Sequence, residues 1–429
     1  MSEIGGATSH ADLPVVEQRP VLPLGFVAGA TTAGIKASGR PDLAVIAVTT
    51  AGPAAAAATF TRNLFAGAPV RLSRAHLAES GGLARAVIAT SGSANAATGP
   101  TGDADQRAVA EGLATALGCA SRETLAASTG LIGTRLPIAQ VESATAALVR
   151  GGLRADDEGL EAVADALMTT DTRRKTATAV IELPSPAGQL VSVRVSGVAK
   201  GVGMIHPEMA TMIALILTDA TASPASLQEL LVRSVAASFD CLSIDGDTST
   251  NDTVFALASG AAGAAAVGPG SPEAERLGVA ISAVCRSLAR QQAADGEGAT
   301  ALITCRVAGA VDLVDARRIA RSVISSNLLK AAVHGRDPNW GRVASAAGNA
   351  RRPDGTRVAL RPEALRIAIC GTTVYAGEPV PFDAPAVRRA MEATEVPIDL
   401  DLGLGDATAE AWGCDLTEAY VRENAEYST

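Results

Sequence analysis

Lys200-Gly201-Val202-Gly203-Met204-Ile205-His206-Pro207-Glu208-Met209-Ala210-Thr211-Met212 runs through the middle of the chain. Its glycines and proline mark a turn, which ends at Ala210-Thr211, and Met212 then opens an apolar run that continues to Leu217. A short uncharged run of this kind reads as a strand covered on both faces. The turn thus presents one hydroxyl at the start of a buried strand. Thr211 reads as a nucleophile, against the plainer alternative of a β-branched strand residue that follows a turn.

A threonine hydroxyl is a weak nucleophile and needs a base nearby. His206 and Glu208 are close in sequence. A second solution is to break the Ala210–Thr211 peptide. Thr211 then carries a free α-amine, which titrates at about 7.7–8.0 when unperturbed and suits a general base at neutral pH. Cleavage would proceed by attack of the Thr211 hydroxyl on the Ala210 carbonyl, giving an ester that water opens. The small Ala210 side chain leaves that carbonyl accessible.

Around this turn lie 429 residues, 48% of them hydrophobic and only 3% aromatic, so the chain can bury a large core built from small and aliphatic side chains. A net charge of −9 argues against nucleic acid or an anionic membrane as the main partner. No run approaches the roughly 20 apolar residues that span a bilayer. No signal peptide is visible, and residues 1–21 read as a flexible polar extension. The cysteines, Cys119, Cys241, Cys285, Cys305, Cys370 and Cys414, lack C-x-x-C spacing, and four histidines are few for a metal centre. Neither a structural zinc nor a disulfide framework is expected, and a cytoplasmic location is.

Apolar runs predict buried strands over 42–50 and 84–90, and helical spacing predicts helices over 103–117 and 156–168. Alternation over 175–183 and 190–198 predicts a hairpin that leads straight into the Lys200 turn. Beyond Thr211 the pattern predicts a helix over 226–239 and another beginning at Ser271-Pro272, where Ser caps and Pro fits the first turn. It further predicts a strand over 301–307, a mainly helical stretch over 316–333 and a helix over 384–393. Residues 260–270 read as a loop, and no repeat is present. The mixture indicates an α/β or α+β protein with mixed sheets and flanking helices.

Other segments carry polar chemistry. Ala127-Ser128-Thr129-Gly130-Leu131-Ile132-Gly133 could aim backbone N–H groups at an oxyanion, although a segment of this composition is more often only a loop. Gly246-Asp247-Thr248-Ser249-Thr250-Asn251-Asp252-Thr253 could organise a polar pocket or satisfy its own backbone. In Asp295-Gly296-Glu297-Gly298-Ala299 an acidic residue between glycines could receive an ammonium group or sit solvated. His334-Gly335-Arg336-Asp337-Pro338-Asn339-Trp340-Gly341-Arg342 reads as a buried structural turn, with His334 a less favoured catalytic base. The C-terminal residues from Cys414 to Thr429 stay patterned to the end, as in a docked tail.

Singly these signals are weak; their order and wording together are specific. From about Gly25 (GFVAGATTAGIK) to Thr429 the chain resembles the self-cleaving ornithine acetyltransferases, also called bifunctional glutamate N-acetyltransferases, of the cyclic arginine pathway. The K-G-x-G-M-x-x-P-x-M-A-T-M block carries the resemblance. Ser128-Thr129-Gly130, Thr169-Thr170-Asp171-Thr172, S-T-N-D-T, D-P-N-W-G-R and D-L-T-x-x-Y-V-x-x-N support it. It implies a two-lobed fold and self-cleavage at Ala210–Thr211 into an α chain (22–210) and a β chain (211–429), which assemble as α2β2. It also implies a ping-pong reaction in which Thr211 takes acetyl from N2-acetylornithine and passes it to glutamate. By resemblance, Thr129 and Gly130 occupy the oxyanion-hole positions, and Thr169, Lys200, Thr211, Glu297, Asn424 and Thr429 the substrate contacts. No cofactor and no metal are implied.

His206 and Cys414 depart from the family pattern, and similar departures occur in paralogues of secondary metabolism, which leaves the natural acyl donor and acceptor open. Two rivals stand beside transfer. One is a related self-cleaving aminopeptidase or amidase whose acyl-enzyme goes to water. The other is a non-enzymatic protein with a fossil site, disfavoured because the nucleophile and oxyanion motifs survive together.

Overall fold

The apolar run after the central turn forms the strand Ile213–Thr218, buried at every position. Its side chains alternate between two cores: Ala214 and Ile216 enter one, Ile213, Leu215 and Leu217 the other. A strand can be apolar throughout only if both faces are covered. This computed structural model describes residues 14–206 and 212–426.

Ile213–Thr218 lies at the centre of a seven-stranded sheet. On one side it pairs antiparallel with Leu190–Lys200, which forms the expected hairpin with Lys175–Pro184. On the other it pairs parallel with Thr253–Ala258, and then come Ala54–Phe60 and Leu83–Ala84. Lys200 stands directly opposite Ile213, so the central turn joins two neighbouring strands of one sheet.

The helices Pro224–Ala236 and Pro272–Ala294 contribute Leu227, Leu230, Leu277, Ile281, Val284 and Leu288 to one face of the sheet. Each starts as expected of Ser-Pro: the Ser223 and Ser271 hydroxyls accept from the N–H groups of Ser226 and Ala274 at 3.1 Å. The opposite face meets the helix Asp157–Leu167 and a four-stranded sheet, ordered Phe26–Thr31, Leu43–Val48, Ala86–Ser93, Thr124–Leu131. The outer face of that smaller sheet is closed by the helices Gly99–Leu117 and Ile138–Gly151. Alanine-rich strands such as Ala54–Phe60 let these layers approach closely without aromatic filler.

A six-stranded sheet, whose middle strands are Ala407–Cys414, Leu302–Ala310 and Glu395–Asp401, makes the second lobe. It shares a continuous core with the first lobe, which includes Leu288, Ile303, Val323 and Trp412. The architecture is the expected α/β mixture of mixed sheets and flanking helices.

Four expectations differ or are refined. The extension read over 1–21 does not reach that far: Val16–Glu17 is an edge strand on Lys175–Pro184, and the Val21 N–H donates to Thr178 Oγ1 at 3.1 Å. An open sheet edge recruits polar chain through backbone hydrogen bonds that need no apolar pattern. Residues 127–133 are not a loop up to residue 131; they complete the strand Thr124–Leu131. The turn read at Asp337–Arg342 opens a helix, Trp340–Gly348, capped by Asn339. The expected helical stretch over 316–333 is two helices, Leu313–Ile324 and Asn327–His334. No helix among the described residues is long and apolar enough to cross a membrane.

Candidate active site

Thr129 and Gly130 reach the site on the strand Thr124–Leu131, parallel to Ala86–Ser93 and in register with Ser91 and Gly92. The ladder is irregular between Gly92 and Ser93, directly beside Gly130. Such irregularities re-aim backbone next to active sites. Gly130 has φ +126°, and a Cβ there would lie 2.4 Å from the Gly92 carbonyl carbon, so only glycine fits.

Lys200 comes from the neighbouring sheet, as the last residue of Leu190–Lys200. Its ammonium donates to Thr129 Oγ1 at 3.2 Å, and both residues are only 3% exposed. Lysine has donors only, so Oγ1 must accept here, and the hydroxyl's own hydrogen remains available to a ligand oxygen. Burial lowers the Lys200 pKa, and Lys175 adds to that; Asp171, Glu297 and Asp252 act in the opposite direction.

Behind Lys200 sits a buried charge cluster. Lys175 bonds Asp171 Oδ1 at 2.6 Å and also pairs with Asp295. The Asp171 carboxylate further accepts from the N–H of Gly201 at 2.8 Å and of Thr169 at 3.1 Å. Burial alone would raise the Asp171 pKa, but Lys200, Lys175 and these donors outweigh it and hold the carboxyl below its ordinary range. Asp171 thereby ties the Thr169–Thr172 run to the start of the central turn.

Glu297 closes the other side. Its N–H donates to the Val202 carbonyl at 2.8 Å, and its carboxylate accepts from Thr170 Oγ1 and from Asn424 Nδ2, each at 2.9 Å. A Cβ at Gly203 would lie 2.3 Å from Glu297 Oε2, so glycine there admits the carboxylate. Asn424 belongs to the helix Glu418–Glu426, which buries none of its residues and is tied to the Glu297 loop by this bond. Thr417 Oγ1 secures that helix by donating to the Gly298 carbonyl at 2.8 Å.

The Gly246–Thr253 segment does both things its composition allows. Asn251 Nδ2 donates to the carbonyls of Ser128 at 2.9 Å and Ala94 at 2.6 Å, which seats the strand end carrying Thr129. Asp252 Oδ1 accepts from the Met212 N–H at 2.8 Å, immediately after Thr211 in the chain. Asp252 is fully buried, and burial pushes its pKa well above the ordinary carboxyl value, with Met212 and Lys200 opposing. Asp245 holds the beginning of the turn, accepting from the N–H of Ile205 at 2.9 Å and from that of Met204.

Of the expected site residues, the structure brings together Thr129, Gly130, Thr169, Lys200, Glu297 and Asn424. Ala210, Thr211 and Thr429 lie outside the described residues. Sequence reading missed Lys175, and it named Asp171, Asn251 and Asp252 only within their segments, without the partners they hold here. The available signal for Asp171 and Lys175 was a carboxylate within a hydroxyl-rich run and a lysine four residues later, opening an otherwise uncharged strand face. Among the described residues, no group of three His, Cys, Asp or Glu side chains is placed to hold a metal ion.

The sequence profile of the ArgJ family matches residues 27–429. This chain belongs to the ArgJ family. A relative from Thermosynechococcus vestitus, named arginine biosynthesis bifunctional protein ArgJ, is 44% identical over 94% of this chain and 96% of its own. A protein of the same name from Deinococcus radiodurans is 44% identical over 95% of this chain and 98% of its own. A solved structure of ornithine acetyltransferase complexed with ornithine, from Mycobacterium tuberculosis, is 37% identical; the match covers 45% of this chain and 97% of that one, with a TM-score of 0.40.

Within this ArgJ-family chain the two departures from pattern have distinct settings. Cys414 is buried against Gly296, beneath the Glu297 loop, and its carbonyl accepts from Lys330. Burial raises its thiol pKa, with Lys330 opposing, so it is a packing residue rather than a thiolate. His206 pairs through Nδ1 with Ser243 Oγ at 3.3 Å. His334 bridges Asp415 at 3.1 Å and Glu418 at 3.3 Å and braces the C-terminal helix.

Proposed function

We propose that this chain cuts itself between Ala210 and Thr211 and then carries acetyl on Thr211 from N2-acetylornithine to glutamate. Membership of the ArgJ family makes it an acetyltransferase of arginine biosynthesis. The observation that carries the finer reading is the Lys200–Thr129 hydrogen bond, because it leaves the Thr129 hydroxyl hydrogen for an oxyanion.

The Thr211 α-amine removes the proton from its own hydroxyl, and Oγ attacks the acetyl carbonyl carbon. The carbonyl oxygen becomes an oxyanion held by the Thr129 hydroxyl and the Gly130 N–H. Collapse breaks the C–N bond, and the α-amine of ornithine departs with the proton returned from the Thr211 ammonium. The glutamate α-amine then attacks the Thr211 ester; the C–O bond breaks, the hydroxyl recovers its proton, and N-acetylglutamate leaves. One amide replaces another, so the exchange needs no nucleotide. Lys200 pairs the α-carboxylate common to both substrates, and Glu297 pairs the side-chain ammonium of ornithine. Thr169, Asn424 and Thr429 complete the contacts. The two chains, one ending at Ala210 and the other running from Thr211 to Thr429, remain together as α2β2 in the cytoplasm.

Denaturing electrophoresis followed by mass spectrometry tests this reading. Two fragments are expected, the second beginning with Thr211. That fragment gains one acetyl group on incubation with N2-acetylornithine and loses it when glutamate is added. Thr211→Ala should remain one band and transfer nothing. Ornithine release at the same rate with and without glutamate would overturn transfer in favour of hydrolysis.

A further inference from the structure

The segment between the strands Phe26–Thr31 and Leu43–Val48 packs beside the candidate active site. A Cβ at Gly92 would lie 3.0 Å from the Ile35 side chain and 3.1 Å from its carbonyl carbon, and Gly92 is in register with Gly130. The segment folds around Asp42, which is buried. Asp42 Oδ2 accepts from the N–H groups of Ile35 at 2.6 Å and Lys36 at 2.9 Å, so that carboxylate is committed to backbone.

Two cations of this segment are tied to the chain around the Thr169–Thr172 run. Lys36 Nζ donates to the carbonyls of Ala166 at 3.0 Å and Pro41 at 2.8 Å, and Arg40 Nη2 donates to the Thr169 carbonyl at 3.3 Å. All three acceptors are backbone oxygens, so these bonds fix where the charges sit. Ala166 is the penultimate residue of the helix Asp157–Leu167, whose C-terminal end favours a cation. Burial pushes the Lys36 pKa down to about 8, with Arg40 and Lys200 adding and Asp42 and Asp171 opposing. Lys36 is thus within electrostatic reach of Lys200 and of the Asp171 carboxylate behind it.

Thr169 and Thr170 therefore stand between charges of opposite sign. Thr170 Oγ1 donates to Glu297 at 2.9 Å on one side, and the Thr169 carbonyl accepts from Arg40 on the other. Consecutive Cα atoms are about 3.8 Å apart, so the swing of one substrate side chain spans both ends. Acetyl exchange passes an ammonium side chain and then a carboxylate side chain through one site, and Glu297 attracts the first and repels the second. Resting on that transfer chemistry, we infer that Arg40 and Lys36 form the acceptor end of the substrate site and favour an acceptor amino acid with a carboxylate side chain. Arg40 is exposed and offers a planar fork to a carboxylate; Lys36 is half-buried, where a charge acts more strongly.

The self-cleaved protein is acetylated with N2-acetylornithine, freed of donor by gel filtration and mixed with subsaturating glutamate or glutamine, while intact mass follows the loss of acetyl from the Thr211 fragment. Glutamine is the neutral isostere of glutamate, so the ratio of the two rates reads the side-chain charge, whatever the fraction of active protein. The parent should favour glutamate by about tenfold or more, the factor expected of a carboxylate bonded to a cation. Lys36→Met with Arg40→Gln should lower that ratio by about tenfold. Arg40→Glu, on an exposed side chain, should lower it by about threefold or more, and it provides the reading should the double variant fail to fold. A parent ratio near one, or variant ratios within about twofold of the parent's, would overturn the assignment. A parent that gains no acetyl from N2-acetylornithine would overturn the transfer reading itself, whereas acetylation followed by an unchanged ratio sinks only the acceptor end.

Discussion

Replacing Thr129 by valine deletes one oxygen and changes little else. Valine keeps the branch at Cβ and the strand preference, so Thr124–Leu131 retains its pairing. What disappears is the acceptor for Lys200 at 3.2 Å, in a setting where both residues are 3% exposed. The first consequence is catalytic. Loss of one oxyanion donor is worth about 2.7–4 kcal/mol, or a fall in kcat of about 10²–10³. The second is structural. Lys200 loses a hydrogen-bond partner inside the protein, which costs about 1–3 kcal/mol. Asp171 still faces Lys200 and shares its charge, so the lower end of that range is expected. Thr129→Ser keeps the oxygen and should retain most of both quantities. Initial rates of ornithine release at saturating N2-acetylornithine and glutamate measure the first effect, and urea unfolding measures the second. A valine variant with kcat within about threefold of the parent would exclude a transition-state role for the hydroxyl, because a threefold change is well under 1 kcal/mol. Equal losses in the serine and valine variants would likewise assign the effect to packing.

Lys175→Met should destabilise the fold by about 3–5 kcal/mol in chemical denaturation, because it strands the Asp171 and Asp295 carboxylates without their shared cation. An unchanged midpoint would show that the cluster is solvated in solution. Asp252→Asn should flatten the dependence of stability on pH. The folded-state pKa of Asp252 is raised, so above its ordinary value of 3.8 the folded state holds a proton that the unfolded chain has lost. That contribution is complete below the unfolded pKa and shrinks as pH rises towards the folded one. Unfolding at pH 5 and pH 8 should therefore show a smaller loss in the asparagine variant than in the parent, and equal losses would refute the assignment.

Periodicity made the strand Ile213–Thr218, the hairpin before it and the helix Pro272–Ala294 legible, because each repeats one local pattern over several residues. The strand Thr124–Leu131 was hidden by its own composition. Ala, Ser and Gly carry little strand preference, and what makes this Ala-, Ser- and Gly-rich segment a strand is the parallel partner Ala86–Ser93. The helix at Trp340 was obscured by Asp-Pro-Asn, which serves equally well as a turn or as an approach to a cap. Asp171 and Lys175 were visible as residues but not as a pair that closes on Asp295, more than a hundred positions later. Asn251 is similar: nothing in the local sequence shows that its amide holds the Ser128 carbonyl.

The sequence by itself determined the kind of chemistry. A glycine turn ending in Ala-Thr before a buried strand, with Ser-Thr-Gly and a patterned tail elsewhere in the chain, specifies residue types, and residue types carry nucleophile, donor and charge. Only the tertiary structure decided how those groups act on one another. It set Lys200 at the end of a strand in one sheet and Thr129 near the end of a strand in another, 3.2 Å apart and shielded from water, so that a buried lysine orients a hydroxyl. Distance and dielectric govern that coupling, and both belong to the packing of sheets whose residues lie 71 positions apart in the chain.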